Sequence, residues 1–373
     1  MTQSFVLKQP AILSLLASMQ PICSKRTPLD ATECILFQIT ARELTLKATD
    51  LEISLQSTAE IESSSDEPRS FLVPGKRIFE IVKEMEGDIT FTVDENKLRL
   101  QAGSVDLSLN IKEAQDFPPF PERIENLMQI DAGFLVSLLN KISFIIPSNN
   151  SNSALNGLLL EINDKQMSMV ATDGHSLARV ETNRYTLGEG QKWLLPKRAV
   201  LELKKIIETN SPAHVFLGTC GNQLVFSGAH FNFFTKLIAE AFPEFSGVLN
   251  KDGFMPARVS RSEFTRTLKR TGCLLAGQFL STTFTFDKNK LDVNLNNKEV
   301  GSLKETISLN EFSGDQIESR FFSPYLLNGL QSFAGDDVQF HIKNSMKPII
   351  FDDAQQEYQF TYLVMPVSAV QNG

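Results

Sequence analysis

At 373 residues the chain has room for two or three domains, each with its own core. Hydrophobic content of 42% and charged content of 21% are those of an ordinary globular protein. No apolar run reaches membrane-spanning length and the N-terminus lacks a basic, then apolar, signal pattern, so neither span nor secretion signal is expected. The net charge of −8 speaks against a generally basic nucleic-acid binder, yet the acid is concentrated: thirteen basic face twenty acidic residues over 1–125, against ten and ten over 126–250. A local basic face remains compatible with that balance, because the field at a surface depends on nearby charge. The four cysteines (Cys23, Cys34, Cys220, Cys273) are far apart with no C-x-x-C. They read as small buried residues of a reducing cytoplasm, not as a disulfide or zinc framework.

Taken in order, an amphipathic helix opens each third of the chain. Ile12, Leu15, Leu16 and Met19 fall at helical spacing in the first. In the second, Asp131 is placed to cap a stripe of Phe134, Leu135, Leu138, Leu139 and Ile142. In the third, Ser260 and Glu263 have capping-box spacing ahead of Phe264 and Leu268. Hairpin-like strands follow, as at Ile162–Met167 and Phe286–Leu291. A second helix then starts near a proline, from Val73, Leu195 and Ser323, and alternating strands such as Leu98–Ala102 and Val105–Ile111 close the unit.

One phrase recurs. Met167–Val180, MSMVATDGHSLARV, is a strand running into a turn at Asp173–Gly174; Leu44–Ile53, LTLKATDLEI, repeats it, and Leu291–Asn297, LDVNLNN, reads as a worn third copy. Setting Asn296 opposite Asp50 and Asp173 gives a constant period of about 120 residues, far longer than a solenoid repeat. The expectation is an α+β chain of three tandem sheet-rich domains, 1–125, 126–252 and 253–373, each with two helices against one sheet face.

Chemistry is scarce. His175 near Asp173 is the best candidate for a general base, but no further partner, metal spacing or phosphate loop accompanies it, so no catalytic residue, metal or cofactor is expected. Basic residues are the better signal. Lys197, Arg198, Lys204 and Lys205 share a helix side, and Lys76, Arg77 and Lys83 repeat the arrangement. In the third unit Arg261, Arg266, Lys269 and Arg270 sit on the first helix instead. No aromatics interleave, so the expected mode is contact with phosphates without reading sequence, with Arg26, Lys76, Lys197 and Arg198 as the candidate contacts.

At this point the chain resembles the bacterial DNA polymerase III beta subunit family, the sliding clamps. ATDGHSLA, Leu155–Gly157, LLPKRAVLEL, AFPEFSGVL, VPGKRIFEI and YLVMPV are similar to that family's landmarks, in its order and over essentially the whole chain. The resemblance implies a homodimeric ring of three-domain chains, closed head-to-tail around duplex DNA. It implies a non-catalytic cytoplasmic tether for the replicative DNA polymerase, also bound by the clamp loader and other proteins with a clamp-binding motif. Carried over by position, a partner-peptide cleft is lined by Leu155, Thr172, Gly174, His175, Leu177, Pro243, Val248, Leu363, Val364, Met365 and Pro366. Leu107 is placed at the dimer interface, opposite Leu274 and Leu275 of the second chain, with Asp106 facing Lys269 and Arg270. The family's basic rim is thinned here, with Ser176, Ser246, Gly247 and Ser368 uncharged, and the tail 368–373 is longer.

Ring size follows from helix width alone. Six helices about 10 Å across leave a hole of roughly 9 Å, too narrow for a duplex, whereas twelve leave roughly 28 Å. A dimer is the smallest ring that works. Two other readings stay open on the residues: a stand-alone peptide-binding scaffold on the same groove, and a hydrolase built on Asp173 and His175.

Overall fold

In the computed structural model, residues 2–277 and 279–367 are described. The N-terminal repeat runs β1 (Gln3–Lys8), α1 (Gln9–Cys23), β2 (Cys34–Ile39), β3 (Glu43–Thr49), β4 (Ile53–Glu60), β5 (Arg69–Pro74), α2 (Gly75–Lys83), β6 (Asp88–Val93), β7 (Lys97–Ala102) and β8 (Val105–Asn110), with a short β9 (Lys112–Glu113). The central repeat follows the same order: β10 (Glu125–Asp131), α3 (Ala132–Ile142), β11 (Gly157–Ile162), β12 (Met167–Thr172), β13 (Ser176–Thr182), β14 (Gln191–Pro196), α4 (Lys197–Asn210), β15 (His214–Cys220), β16 (Gln223–Ser227) and β17 (Phe231–Lys236). So does the last: β18 (Met255–Ser260), α5 (Arg261–Leu275), β19 (Thr282–Asp287), β20 (Lys290–Asn297), β21 (Gly301–Ser308), β22 (Ile317–Phe321), α6 (Ser323–Leu330), β23 (Asp337–Ile342), β24 (Ile349–Ala354) and β25 (Gln359–Val364).

Each repeat distributes its strands over two sheets, not the single sheet expected. Its first and last three strands form one four-stranded group and the middle four form another, for example β1-β6-β7-β8 and β5-β2-β3-β4. The sequence shows alternating strands but not which of them share a sheet; that is decided by pairing between strands far apart in the chain, such as β1 with β6. Alternation does fix the inward faces: in β7, Leu98, Leu100 and Ala102 are buried and Lys97 and Arg99 are exposed. In α1 the buried stripe is Ile12, Leu16, Met19 and Ile22. The Asp131 carboxylate accepts the Phe134 N–H at 2.7 Å, and Ser260 Oγ accepts from the Glu263 N–H, so both expected caps form.

The chain packs as two compact units. The first takes the residues up to Val136 together with Arg198–Leu237, the second Ser137–Lys197 together with the residues from Ile238 on. In the first unit the central repeat's β17 pairs antiparallel with β4, making a nine-stranded sheet, β10-β15-β16-β17-β4-β3-β2-β5-β9. In the second, β25 of the last repeat pairs antiparallel with β13, making an eight-stranded sheet, β14-β11-β12-β13-β25-β24-β23-β18. The same strand of one repeat thus adds to the same strand of the repeat before it. Backbone pairing across the repeats explains why the central repeat is divided between the units.

The turn that revealed the repeat is held by one device in all three copies. Asp50 Oδ1 accepts the N–H groups of Glu52 and Ile53 at 3.0 and 2.8 Å, and Asp173 Oδ1 those of His175 and Ser176 at 2.9 and 2.7 Å. In the last repeat Asn297 Oδ1 does the same for Glu299 and Val300. The third counterpart is therefore Asn297 and not Asn296, because the extra residue lies ahead of β20: the pair Phe286 and Leu291 is already displaced by 124 residues from Ile162 and Met167, as Asn297 is from Asp173. Gly174 takes φ +90° in this turn, and Leu51 adopts φ +74° at the matching place, where only glycine is free of steric cost. The cysteines divide: Cys23 and Cys34 are buried and Cys220 is half-buried, whereas Cys273 is exposed, contrary to expectation. Burial pushes the Cys23 thiol up to about 12, so it is inert as a nucleophile.

Candidate functional sites: an apolar groove and a basic helix start

On one face of its eight-stranded sheet the second unit carries an apolar cluster with a partly exposed edge, the candidate groove. Leu159, Val170, Leu177, Leu363 and Ile350 project from β11, β12, β13, β25 and β24 onto that face, with Leu177, Leu363 and Ile350 directly opposite one another. Ala154, Leu194 and Leu249 complete the floor, and Ile238, Phe242, Phe245, Phe254 and Met365 pack against it while keeping part of their surface in water. Such a surface, apolar below and partly open above, accepts apolar side chains of a ligand.

The rim is set by the Asp173 turn. Thr172 Oγ1 donates to the Ser176 carbonyl at 2.6 Å and accepts from the Gly174 N–H at 3.1 Å, while Ser176 Oγ donates to Asp173. The His175 carbonyl accepts the Met365 N–H at 2.8 Å, tying the chain beyond β25 to the turn. The imidazole of His175 stacks on Tyr325, with centroids 5.5 Å apart and planes 15° apart, and the Tyr362 hydroxyl donates to the Tyr325 carbonyl at 2.7 Å. A hydrolytic pair needs His175 turned toward a free carboxylate. Here Asp173 is engaged by backbone N–H groups and Ser176, and the ring of His175 lies on a phenol, so the arrangement is a wall and not a dyad. No group of three potential metal ligands occurs among the described residues.

The residues singled out in the sequence divide by burial. Leu155, Leu177 and Leu363 are buried in the floor region; Thr172, Met365 and Pro366 are half-buried; Gly174, His175, Pro243 and Val248 are exposed along the rim. Val364 has no exposed surface and alternates onto the face opposite Leu363, so it carries the strand and does not line the groove. Sequence reasoning missed Ile350, Leu159, Val170, Leu194, Leu249, Tyr325 and the three phenylalanines. Their signal was strand alternation, which marks a buried face without saying that the face ends in an opening. At two of the uncharged rim positions the hydroxyl is engaged locally: Ser176 is buried and donates to Asp173, and hydrogen bonds from Ser246 hold the Glu244 carboxyl below its usual range. Ser368 and the tail 368–373 lie outside the described residues.

Of the residues expected to meet DNA, Arg26 is exposed and Lys76 keeps 70% of its side-chain surface, near Glu80 on its own helix. Lys197 Nζ hydrogen-bonds Ser148 Oγ at 3.0 Å. Arg198 differs from a free phosphate binder: its guanidinium pairs with Asp50, whose side chain has no exposed surface, and donates to the Pro21 carbonyl at 3.0 Å. Lys25, which the sequence did not single out, pairs with Glu52 and stands 3.9 Å from Asp50.

Of the residues placed at an interface, Leu107 is half-buried on β8, an edge strand of its sheet. Leu274 is half-buried at the end of α5, and Leu275, 5% exposed, belongs to the core beside it. The accompanying charges already have partners in the chain: Asp106 pairs with Arg99 and Arg270 with Glu305.

The fold and groove together define a class: three tandem two-sheet α+β repeats joined by strand addition, with an apolar groove and, among the described residues, no catalytic constellation. Family models of the DNA polymerase III beta subunit match in sequence order, the N-terminal domain over residues 3–121, the central over 129–244 and the C-terminal over 248–368. The chain belongs to the DNA polymerase III beta subunit family. It is similar to the beta sliding clamps of Pseudomonas aeruginosa, 26% identical with 97% of this chain and 99% of the relative covered, and Haemophilus influenzae, 26% identical over 95% and 97%. Among solved structures, a P. aeruginosa sliding clamp bound to griselimycin superimposes with a TM-score of 0.90 at 25% identity, over 99% of this chain and 100% of the other. The chain is therefore a DNA sliding clamp, a non-catalytic processivity factor of replication, and the hydrolase reading falls away.

Proposed function

We propose that two copies of the chain close head-to-tail around duplex DNA and that the groove on the second unit receives the clamp-binding peptide of polymerase, clamp loader and other partners in the cytoplasm. The observation that carries the ring is the repeated strand addition. The last strand of the central repeat pairs with β4, and the last strand of the C-terminal repeat pairs with β13. The strands left over in this scheme are β8, the last of the N-terminal repeat, and β21, the counterpart of β4 and β13. Both are sheet edges, and unpaired edges invite another chain. Pairing β8 of one chain with β21 of its partner continues the pattern; two different surfaces meet, and closure after two copies makes a ring.

Leu107 on β8 and Leu274 beside β21 are the apolar contacts of this junction, with Leu275 supporting from within. Domain boundaries near 125 and 252 fit the starts of β10 and β18. Arg26, Lys76 and Lys197 meet phosphates without sequence preference, and Arg198 contributes chiefly by holding its ion pair. Leu155, Thr172, Gly174, His175, Leu177, Pro243, Val248, Leu363, Met365 and Pro366 serve the cleft, with Val364 as backing, and the ligand's apolar anchors fill it.

The test of the ring is retention on circular plasmid compared with the same plasmid linearised. A clamp stays on the circle and runs off the ends. Equal retention on both forms supports instead the stand-alone scaffold, which the similarity to beta sliding clamps over nearly the whole chain leaves less favoured. For the groove, Met365→Ala should abolish binding of a labelled peptide bearing a glutamine with aliphatic and aromatic anchors, while sedimentation still reports a dimer.

A further inference from the structure

One wall of the groove is formed by residues 246–254, a short 3-10 turn (Ser246–Leu249) followed by irregular chain leading into β18. Val248 stands exposed at the rim and Leu249 enters the floor. The backbone hydrogen bonds of this segment among the described residues are local, Val248 N–H to the Phe245 carbonyl and Phe254 N–H to the Lys251 carbonyl. What fastens it to the sheet is therefore side chains. Leu249 and Phe254 supply apolar contact, Lys343 Nζ donates to the Asp252 carbonyl at 2.8 Å, and Lys251 Nζ donates to Asp352 Oδ2 at 2.6 Å.

Asp352 sits on β24 two residues from Ile350, hence on the groove face and about 7 Å along the strand from the floor. Its side chain is 13% exposed, and it is held from three directions: by Lys251, by His341 Nδ1 at 3.1 Å from the same oxygen, and by Thr361 Oγ1, which donates to Oδ1 at 3.1 Å. Thr361 is two residues from Leu363, so the polar row runs directly beside the apolar one. A largely buried carboxylate with two hydrogen-bond donors and an imidazole nitrogen 3.1 Å away is fixed in direction, and a lysine bound to it is fixed in turn.

We infer that Asp352 and Lys251 are positioning residues for the partner peptide, locking the wall that carries Val248 and Leu249 against the sheet although neither touches the ligand. The inference rests on the groove being the peptide site. Pre-ordering a wall lowers what binding must spend on ordering it, and the gain appears mainly in the dissociation rate.

Affinity for a fluorescein-labelled peptide with a glutamine, a leucine and a phenylalanine anchor, measured by anisotropy on the full-length protein, tests it. Asp352→Asn and Lys251→Met are expected to weaken binding about tenfold, chiefly through faster release, with Lys251→Arg close to wild type. Val338→Ala, a core truncation on the other face of β23, serves as the control for stability alone and should leave affinity unchanged at a comparable loss of Tm. Asp352→Asn binding within twofold of wild type overturns the inference, as does equal weakening in Val338→Ala. Met365→Ala in the same series separates the two failures: if it abolishes binding while Asp352→Asn does not, the groove stands and the positioning role falls. Wild-type protein that does not take the peptide overturns the groove and the positioning role together.

Discussion

At the scale of single residues, Asp50 and Arg198 matter most. A carboxylate with no exposed surface is tolerable only because Arg198 neutralises it, Lys25 stands nearby and two N–H groups occupy its other oxygen. Removing one partner of such a pair leaves a buried charge. Arg198→Ala should therefore destabilise the protein by about 3 kcal/mol, at the low end for buried pairs because Lys25 remains, as measured by the urea midpoint. Lys197→Ala removes one hydrogen bond to an exposed serine and should cost under about 1 kcal/mol, while lowering salt-sensitive DNA association. A similar stability loss in both variants would show that the Asp50 pair is not special. Asp352 gives a pH prediction. Burial alone would raise its carboxyl, but His341 and Lys251 hold it below the ordinary value of 3.8. Its contribution is fully present above that value and is lost as pH falls through the lower folded one. As pH falls below about 4, wild type should lose more of its urea resistance than Asp352→Asn, which starts lower and has nothing to protonate there.

At the scale of elements, the contact between helix and sheet sets tolerance. A Cβ added to Gly329 in α6 would lie 2.0 Å from Cε1 of Tyr362, whose ring is fully buried and whose hydroxyl is bonded to the Tyr325 carbonyl. Gly329→Ala should cost about 1–3 kcal/mol through overpacking and displace Tyr325, on which His175 stacks. A lower Tm and a weaker peptide complex are expected together; an unchanged Tm would mean that α6 can slide freely. The helices, caps and hairpins at this scale were legible in the sequence because each depends on residues within a few positions. Ser260 before Glu263 and Ile162 opposite Met167 are of that kind. The division of each repeat into two sheets was not legible, since β1 pairs with β6 across some eighty intervening residues and alternation is blind to partner.

At the scale of the whole molecule, the proposed junction joins two sheet edges. Charge pairing across it is weaker than the sequence suggested, because Asp106 and Arg270 are already engaged by Arg99 and Glu305. Apolar contact and strand pairing are left as its main supports, with Val105 and Val300 exposed at the ends of the two edges. Leu107→Asp should give a folded monomer, since its side chain is only half-buried within the chain. Leu274→Asp should do the same with little loss of fold, whereas Leu275→Asp buries a charge in the core and should destabilise the protein itself. Sedimentation and far-UV dichroism distinguish these outcomes, and an unchanged dimer mass in Leu107→Asp would move the junction elsewhere. Raising the salt should leave the wild-type dimer largely intact, because screening acts on exposed charges and hardly on apolar burial.

By itself the sequence determined the threefold repeat, the local elements and the family, since each is written in residue order: a Thr-Asp turn at Asp50 and again at Asp173, a capped helix after Asp131, landmark phrases in register. It also marked much of the groove's rim, through residues that match family positions. The tertiary structure alone decided what depends on neighbours distant in the chain. It paired the buried Asp50 with Arg198, moved the third turn residue to Asn297, turned Val364 away from the groove and brought Ile350 and Leu249 into it. The physical reason is the same in each case. Backbone geometry and capping are settled by near neighbours, whereas burial, charge pairing and the face a strand presents are settled by partners that only folding brings together.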